Sequence, residues 1–355
     1  MGNLLLIDDT DDQLRELADA LGRILRPSEA DIRQWLPTKD VEPQKRFEEL
    51  VDENTILVVT DYDLTRSQIG LFGATIVDWC QTKVIPVGDF SRGLRNPLPK
   101  EPNLFEIRIP NKTEQAAAYI TAVYRGFEKI SVSIGNDPGL LQRKKSPIGV
   151  LSEVLGRPQE EPRFALYGVR LGSANTGLIE KLDRPTDDQK RRMLTYVIGH
   201  LLLNVILRFP GPILSKKALA AYCAINEKEI DGLQSLFASA IYSGPFSHVD
   251  QYFWLSNTDD VLDEINRTNP SDSAAETQGQ LNREAIERVL DRQLSRHECP
   301  RCHGENGGFL CPLTQKTVCQ LPNCSVGSSA WIPAGARLCR IEKDFYDEWA
   351  PILGF

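Results

Sequence analysis

The chain lacks any apolar run approaching the roughly 18–20 residues that a membrane span requires. The longest, around Tyr196–Leu207, is interrupted by Gly199, His200 and Asn204. It lacks a basic stretch leading into an apolar one near residue 1, so a secretory signal is not expected and a cytoplasmic location is. It lacks a P-loop, and no Ser, His and Asp fall at a spacing that supports a catalytic triad. It also lacks positive charge: 41 Lys and Arg against 49 Asp and Glu leave a net charge of −8, which argues against general affinity for nucleic acid or anionic membranes. What is there has the composition of an ordinary soluble globular protein, 41% apolar and 25% charged over 355 residues, enough for two or three domains. Of eight cysteines, Cys80 and Cys223 sit in apolar helical patterns and read as core. The other six crowd between Cys299 and Cys339, a clustering that in a cytosolic chain suggests metal before disulfide.

Strands and helices alternate through residues 1–130. NLLLI (3–7) reads as a strand, and DQLRELADALGRIL (12–25) as a helix with Leu14, Leu17, Ala18, Leu21 and Leu25 on one stripe. DIRQWLP reads as a second strand and QKRFEELVDE as a short helix. TILVVTD (55–61) is a continuous apolar run, typical of a strand buried on both faces. A helix (IGLFGATIVDWCQT), two strands (KVIPVGD and LFEIRIP) and a closing helix from KTEQAAAYI, capped by Thr113 or Asn111, complete the region. Five strands alternating with helices imply a doubly wound, five-stranded parallel α/β sheet, with sites at the carboxyl ends of the strands.

Those ends are acidic. Asp8 and Asp9 leave strand one, and Asp61 leaves strand three in VVTDYDL, with Asp63 two residues on. In a flavodoxin-like order, 2-1-3-4-5, strands one and three are neighbours, so the carboxylates converge. Bunched carboxylates resist burial unless a cation neutralises them, and a hard ion such as Mg²⁺ suits oxygen ligands. Asp8 and Asp9 serving only as helix-terminus charges is the competing account; the second carboxylate site at the matching strand end favours the cation.

Residues 1–130 resemble the receiver domain of two-component response regulators. LLLIDD matches the family's strand-one acidic pair, and VVTDYDL matches its phospho-acceptor strand with Asp61 in the acceptor position. Asp63 falls where the family offers a backbone carbonyl to the metal. The resemblance implies Mg²⁺ at Asp8, Asp9, Asp61 and Asp63. It departs at two places: Gly88 stands where the family has Thr or Ser, and Ile109 precedes Pro110 where the family has Lys. Losing the ammonium removes a charge-assisted phosphate partner worth roughly 1.5–3 kcal/mol. Arg108 is adjacent to Ile109 but points to the opposite face by strand periodicity. The expectation is a degenerate receiver with its acidic pocket kept and its phosphorelay switch weakened or lost. VVTDYDLT is also similar to the opening motif of haloacid-dehalogenase-like phosphatases, in which Asp61 would be the nucleophile and Asp63 the general acid/base, assisted by Mg²⁺. The acidic pair upstream suits the receiver and is unexplained by the phosphatase.

Residues 131–185 read as linker or irregular segment, rich in Pro, Gly and charge, with RFALYGVRLG as a strand candidate. From Thr186 or Asp187 one apolar-faced helix is expected to run to Pro210; His200 on it reads as a core histidine. Residues 211–255 follow as a helix capped by Ser215, a turn, a second helix over about 227–239, a Gly-Pro turn and an aromatic strand. The order is similar to a winged helix, giving a helical domain over 186–265. DNA-binding versions need Lys and Arg on the second helix, whereas this one carries Glu227, Glu229 and Asp231 against Lys228. Protein interaction is therefore preferred to DNA binding. Residues 266–280 read as a linker.

Residues 281–355 pair a helix with a zinc-ribbon-like module. Cys299 and Cys302 form a CxxC knuckle, and Cys319 and Cys324 a looser pair; four thiolates so spaced suit tetrahedral zinc. Cys311, Cys339, His297 and His303 are the alternative ligands. Such a closed site is structural. The whole reads as a non-enzymatic signalling adaptor whose receiver-like face binds a protein partner, with a histidine-kinase-like ATPase as the class receivers dock on. A DNA-binding transcription regulator and an Mg²⁺-dependent phosphatase are the alternatives.

Overall fold

In the computed structural model, which describes residues 2–37, 42–65, 70–90, 106–168, 186–268, 277–304, 308–328 and 330–353, the first apolar run becomes strand β1 (Gly2–Ile7), buried along its whole length. It lies between β2 (Ala30–Trp35) and β3 (Thr55–Thr60), and β4 (Val87–Asp89) and β5 (Glu106–Arg108) continue outward, all parallel, in the order 2-1-3-4-5. A strand covered on both faces needs no polar alternation, and Leu4–Ile7 show none. Each such leucine or isoleucine contributes about 1.5–3 kcal/mol by leaving water.

Helices α1 (Asp11–Gly22), α2 (Pro43–Leu50), α3 (Gly73–Thr82) and α4 (Thr113–Gly135) connect or follow the strands. On α1 the buried stripe is Leu14, Leu17, Ala20 and Leu21; Ala18, expected on it, is only half-buried. Neither Thr113 nor Asn111 caps α4. Lys112 holds the cap position, and the Thr113 hydroxyl donates to Glu16 Oε1 at 2.7 Å instead. The described residues contain no helix long and apolar enough to cross a membrane.

The chain divides into two compact units. One is Met1–Leu155 with Glu180–Leu201 and Gly244–Val249; the other is Gly156–Ile179 with Leu202–Ser243 and Asp250–Phe355. In the first, α5 (Pro147–Val154) and α6 (Asp187–Leu201) pack on α4. Phe246 joins this unit because its ring lies on α4 at Gly126, where a β-carbon would collide with it, and meets Phe127 edge-on at 5.1 Å. His200 is a core histidine, sealed between Phe127 and Tyr196 (ring centroids 5.2 and 4.7 Å), and burial drives its pKa down to about 3.

Two expectations need correction here. The single helix to Pro210 is not continuous: α6 ends at Leu201, and Leu202–Ile206 form a π-helical turn. RFALYGVRLG is not a strand, since Glu161–Ala165 is a short helix and Leu166–Gly168 a turn; its residues 169–172 lie outside the described residues, as do 104–105 of the fifth strand.

In the second unit β6 (Ile213–Ser215) pairs antiparallel with β7 (Tyr252–Trp254), and Ile241 bridges Phe253. The Ser215 side chain caps α7 (Lys216–Tyr222) by accepting from Ala218 N at 3.3 Å. The second α-helix expected over 227–239 is instead two 3₁₀ segments, Glu227–Leu233 and Ala238–Ala240. Ile230 and Leu233, then Phe237 and Ala240, are buried three apart, the period of a 3₁₀ turn. Helices α8 (Leu255–Thr268) and α9 (Gln278–Leu290) follow, the latter with a capping box between Thr277 and Gln280. Of the linker expected at 266–280, 269–276 lie outside the described residues. The end of this unit holds two small ribbons, β8–β9 (Phe309–Leu310, Thr317–Val318) and β10–β11 (Ser325–Val326, Ile341–Glu342), then α10 (Lys343–Leu353). The terminal aromatics pack rather than face water: Phe345 and Tyr346 meet Trp331 at 6.2 and 5.2 Å.

Candidate metal centres

The first cluster is made by the β1–β3 ladder running one residue past the strands. Asp61 N donates to Ile7 O at 3.0 Å, so the residue after β3 is laid beside the residue after β1, while Asp8 N donates to Trp35 O at 3.4 Å on the β2 side. One carboxylate oxygen each from Asp8, Asp9 and Asp61 lie within 4.8 Å of one another, and the group could hold a metal ion. Asp8 is 5% exposed, and Thr10 N donates to its Oδ1 at 2.8 Å. The Thr10 hydroxyl donates to Asp9 Oδ1 at 3.2 Å, and Asp63 N to Asp61 Oδ1 at 3.4 Å. Burial raises the Asp61 pKa to about 6, with help from the Asp8 charge and then that of Asp9, against the lowering effect of the Asp63 and Tyr62 amides. A carboxylate so placed gains from any bound cation.

Asp63 stands apart from this trio. Its carboxylate accepts from Thr65 N (3.2 Å) and from the Thr65 hydroxyl (2.5 Å), closing a local turn on the exposed side.

The ends of β4 and β5 lie alongside, with Gly88 in register with Ile107 and Ile109 N donating to Asp89 O. A β-carbon on Gly88 would stand 2.5 Å from Ile109 Cδ1, so the isoleucine fills the space beside the glycine. Gly73, which the sequence reading missed, fixes the other wall. At the first turn of α3 its amide donates to Tyr62 O at 3.1 Å, and a β-carbon there would meet Asp61 O at 2.5 Å and Tyr62 Cα at 2.7 Å. Its one signal was a glycine opening a helix, where most residues are permitted. Phe72, 52% exposed, immediately precedes it.

The second cluster is thiol-based. Sulfurs of Cys299, Cys302, Cys319 and Cys324 all lie within 4.8 Å of one another and could hold a metal ion. Two turns bring them together. Cys299 N donates to Gly304 O and His303 N to Cys299 O, which folds the CxxC knuckle; Cys324 N and Ser325 N both donate to Leu321 O. Cys319 follows β9 and Cys324 precedes β10, so the ribbons deliver the second pair. Burial acts to raise the Cys299 pKa, but amides of Cys302, Arg301 and Cys319 outweigh it and lower it to about 6. Burial and the neighbouring thiols raise that of Cys324.

The alternative ligands are placed elsewhere. Cys339 donates weakly to Pro210 O at 3.8 Å, and Cys311 lies in an apolar cluster with Trp331 and Ile341. His303 pairs with Glu298 at 2.7 Å on the exposed side, and His297 is buried with its amide donating to Ala224 O.

No protein-family model, curated protein or solved structure matches the chain.

Proposed function

We propose that the chain is a non-enzymatic signalling regulator. In this reading residues 1–130 form a receiver-like domain that keeps its acidic, Mg²⁺-binding pocket, has lost its phosphate-sensing pair, and docks on a protein partner of the histidine-kinase-like ATPase class. One observation carries it. In a sheet of order 2-1-3-4-5, Asp8, Asp9 and Asp61 are drawn together at the ends of β1 and β3, while Ile109 occupies the space beside Gly88. The pocket thus has the groups that would hold a hard cation, and among the described residues Gly88 and Ile109 stand where a hydroxyl and an ammonium would hold a phosphoryl group. Phe72 gives the same face an exposed aromatic of the kind enriched at protein interfaces.

In the second unit the four-thiolate cluster is read as a structural zinc site, closed to substrate. The β6–β7 pair with its flanking helices is read as a winged-helix-like interaction module. Two cations that a DNA-binding version would free for phosphate are held by carboxylates: Lys216 by Asp231 at 2.6 Å and Arg292 by Glu229 at 3.0 Å. The phosphatase alternative needs Asp63 poised beside Asp61 as acid/base, and its carboxylate is engaged by Thr65.

The test is incubation with Mg²⁺ and acetyl phosphate, read by intact-mass spectrometry. The expected result is no phosphoryl adduct at Asp61; a stable adduct abolished by Asp61→Asn would overturn the degenerate assignment. For docking, immobilised wild-type chain and Phe72→Glu are compared for capture of a histidine-kinase-like ATPase. Loss of capture in the variant is expected, and equal capture would remove this face from the interface.

A further inference from the structure

Four thiols of the second unit converge, yet solvent reaches them unequally. Cys299, Cys319 and Cys324 are 1%, 0% and 2% exposed and pack against one another, while Cys302 is exposed. The Cys302 sulfur stands 3.7 Å from that of Cys319. A disulfide between them would require these sulfurs to close to bonding distance at the proper dihedral, and an oxidant to take up two electrons. We propose that Cys302 is a thiol modification site, the entry point for oxidants of the peroxide class, with Cys319 as the resolving thiol. Its consequence, release of the bound metal, rests on the zinc reading above.

The chemistry balances. A zinc-bound cysteine is a thiolate. The Cys302 sulfur gives an electron pair to one peroxide oxygen, the O–O bond breaks, and hydroxide leaves, producing Cys302 sulfenic acid. The Cys319 thiolate then attacks the Cys302 sulfur, the S–O bond breaks, and a second hydroxide departs. Two thiolates are oxidised and one peroxide is reduced, with two electrons transferred. A metal held by the four thiolates would thereby lose two of its ligands, and Cys299 and Cys324 alone could not complete a tetrahedral donor set. The loss reaches further along the chain. Lys343 N, at the start of α10, donates to Cys324 O at 3.0 Å, and the Ser325 hydroxyl donates to Cys319 O at 2.5 Å and accepts from Arg340 Nε at 2.7 Å. The segment that runs from Cys319 to Ser325 therefore also anchors the start of α10.

The full chain, purified in zinc, is first assayed for metal content and then titrated with hydrogen peroxide. A chelating dye follows release, and peptide mapping after N-ethylmaleimide blocking locates the modified thiols. Expected are Cys302 as the first cysteine modified, a Cys302–Cys319 disulfide, zinc released in step with it, and recovery with dithiothreitol and zinc. Earlier modification of Cys299, Cys319 or Cys324, or a disulfide between other members, would overturn the assignment. A chain isolated without zinc would refute the metal reading, and the order of modification and disulfide map would still decide the role of Cys302. Cys302→His, which leaves three cysteines and one histidine as a zinc donor set, is expected to hold zinc and to resist peroxide release at least tenfold longer; release as fast as wild type would also overturn the proposal.

Discussion

Asp61→Asn removes one charge from three crowded carboxylates, and the structure fixes the sign of its effect. The Asp61 pKa rises from 3.8 to about 6 through burial first and the Asp8 charge second. Because the folded-state value lies above the unfolded one, the unfolded chain releases this proton first as pH rises. The Asp61 contribution to stability is therefore most favourable below about pH 4 and falls until pH passes about 6, after which its penalty is constant. Unscreened, the shift corresponds to about 3 kcal/mol; solvent at the rim of the pocket screens part of it and leaves about 1–2 kcal/mol. Asn cannot ionise, so above pH 6.5 the variant should exceed wild type in stability by that amount, and the difference should shrink toward pH 4. The assay is hydrogen exchange of β1 and β3 amides between pH 5 and 8, which reports this sheet separately from the second unit. With Mg²⁺ present the order should reverse, since only the wild type binds the ion with all three carboxylates. A variant less stable than wild type at pH 7.5 without Mg²⁺, or a difference independent of pH, would refute the account of a charge-strained pocket.

Gly73→Ala places its β-carbon against Asp61 O and Tyr62 Cα, backbone atoms that cannot rotate away. It should cost about 1–3 kcal/mol by urea denaturation and weaken Mg²⁺ binding, whereas Gly22→Ala, with open space around it, should do neither. Gly88→Thr combined with Ile109→Lys relieves the crowding that Gly88→Thr creates alone. It should install a phosphomimic response to beryllofluoride that the wild type lacks, measured by Trp fluorescence. Removing metal with a strong chelator should raise hydrogen exchange across Lys343–Leu353 and collapse the near-ultraviolet signal of the Trp331–Phe345–Tyr346 cluster; an unchanged spectrum would refute a structural role for the metal. Across pH 4–6.5, stability should fall as pH falls by way of His200, whose buried ring stays neutral when folded and takes a proton when unfolded; His200→Phe should remove that component.

The sheet was legible because its strands are continuous apolar runs with helical periods between them, a pattern that leaves one architecture. The acidic pocket was legible because strand order, inferred from alternation alone, decides which strand ends are neighbours. The thiol cluster was legible from spacing, since the four cysteines that spacing pairs are four whose sulfurs converge. The misreadings share a physical origin. RFALYGVRLG offers apolar alternation too short to separate strand from helix, and the segment around 227–239 carries buried residues three apart, which suits a 3₁₀ segment as well as an α-helix. The turn that the Asp63 carboxylate forms with Thr65 is set by local hydrogen bonds that spacing does not reveal. Gly73 was missed because close approach to Asp61 O is a tertiary fact.

The central claim is that the pocket retains its carboxylates and has lost its switch. The most direct measurement is a titration of the purified chain with Mg²⁺ and then beryllofluoride, following Trp fluorescence and amide exchange around Asp61. The account predicts saturable Mg²⁺ binding, weakened by Asp61→Asn, and no further change with beryllofluoride. A beryllofluoride response that Asp61→Asn abolishes would contradict it and make the first unit a working phospho-switch despite Gly88 and Ile109.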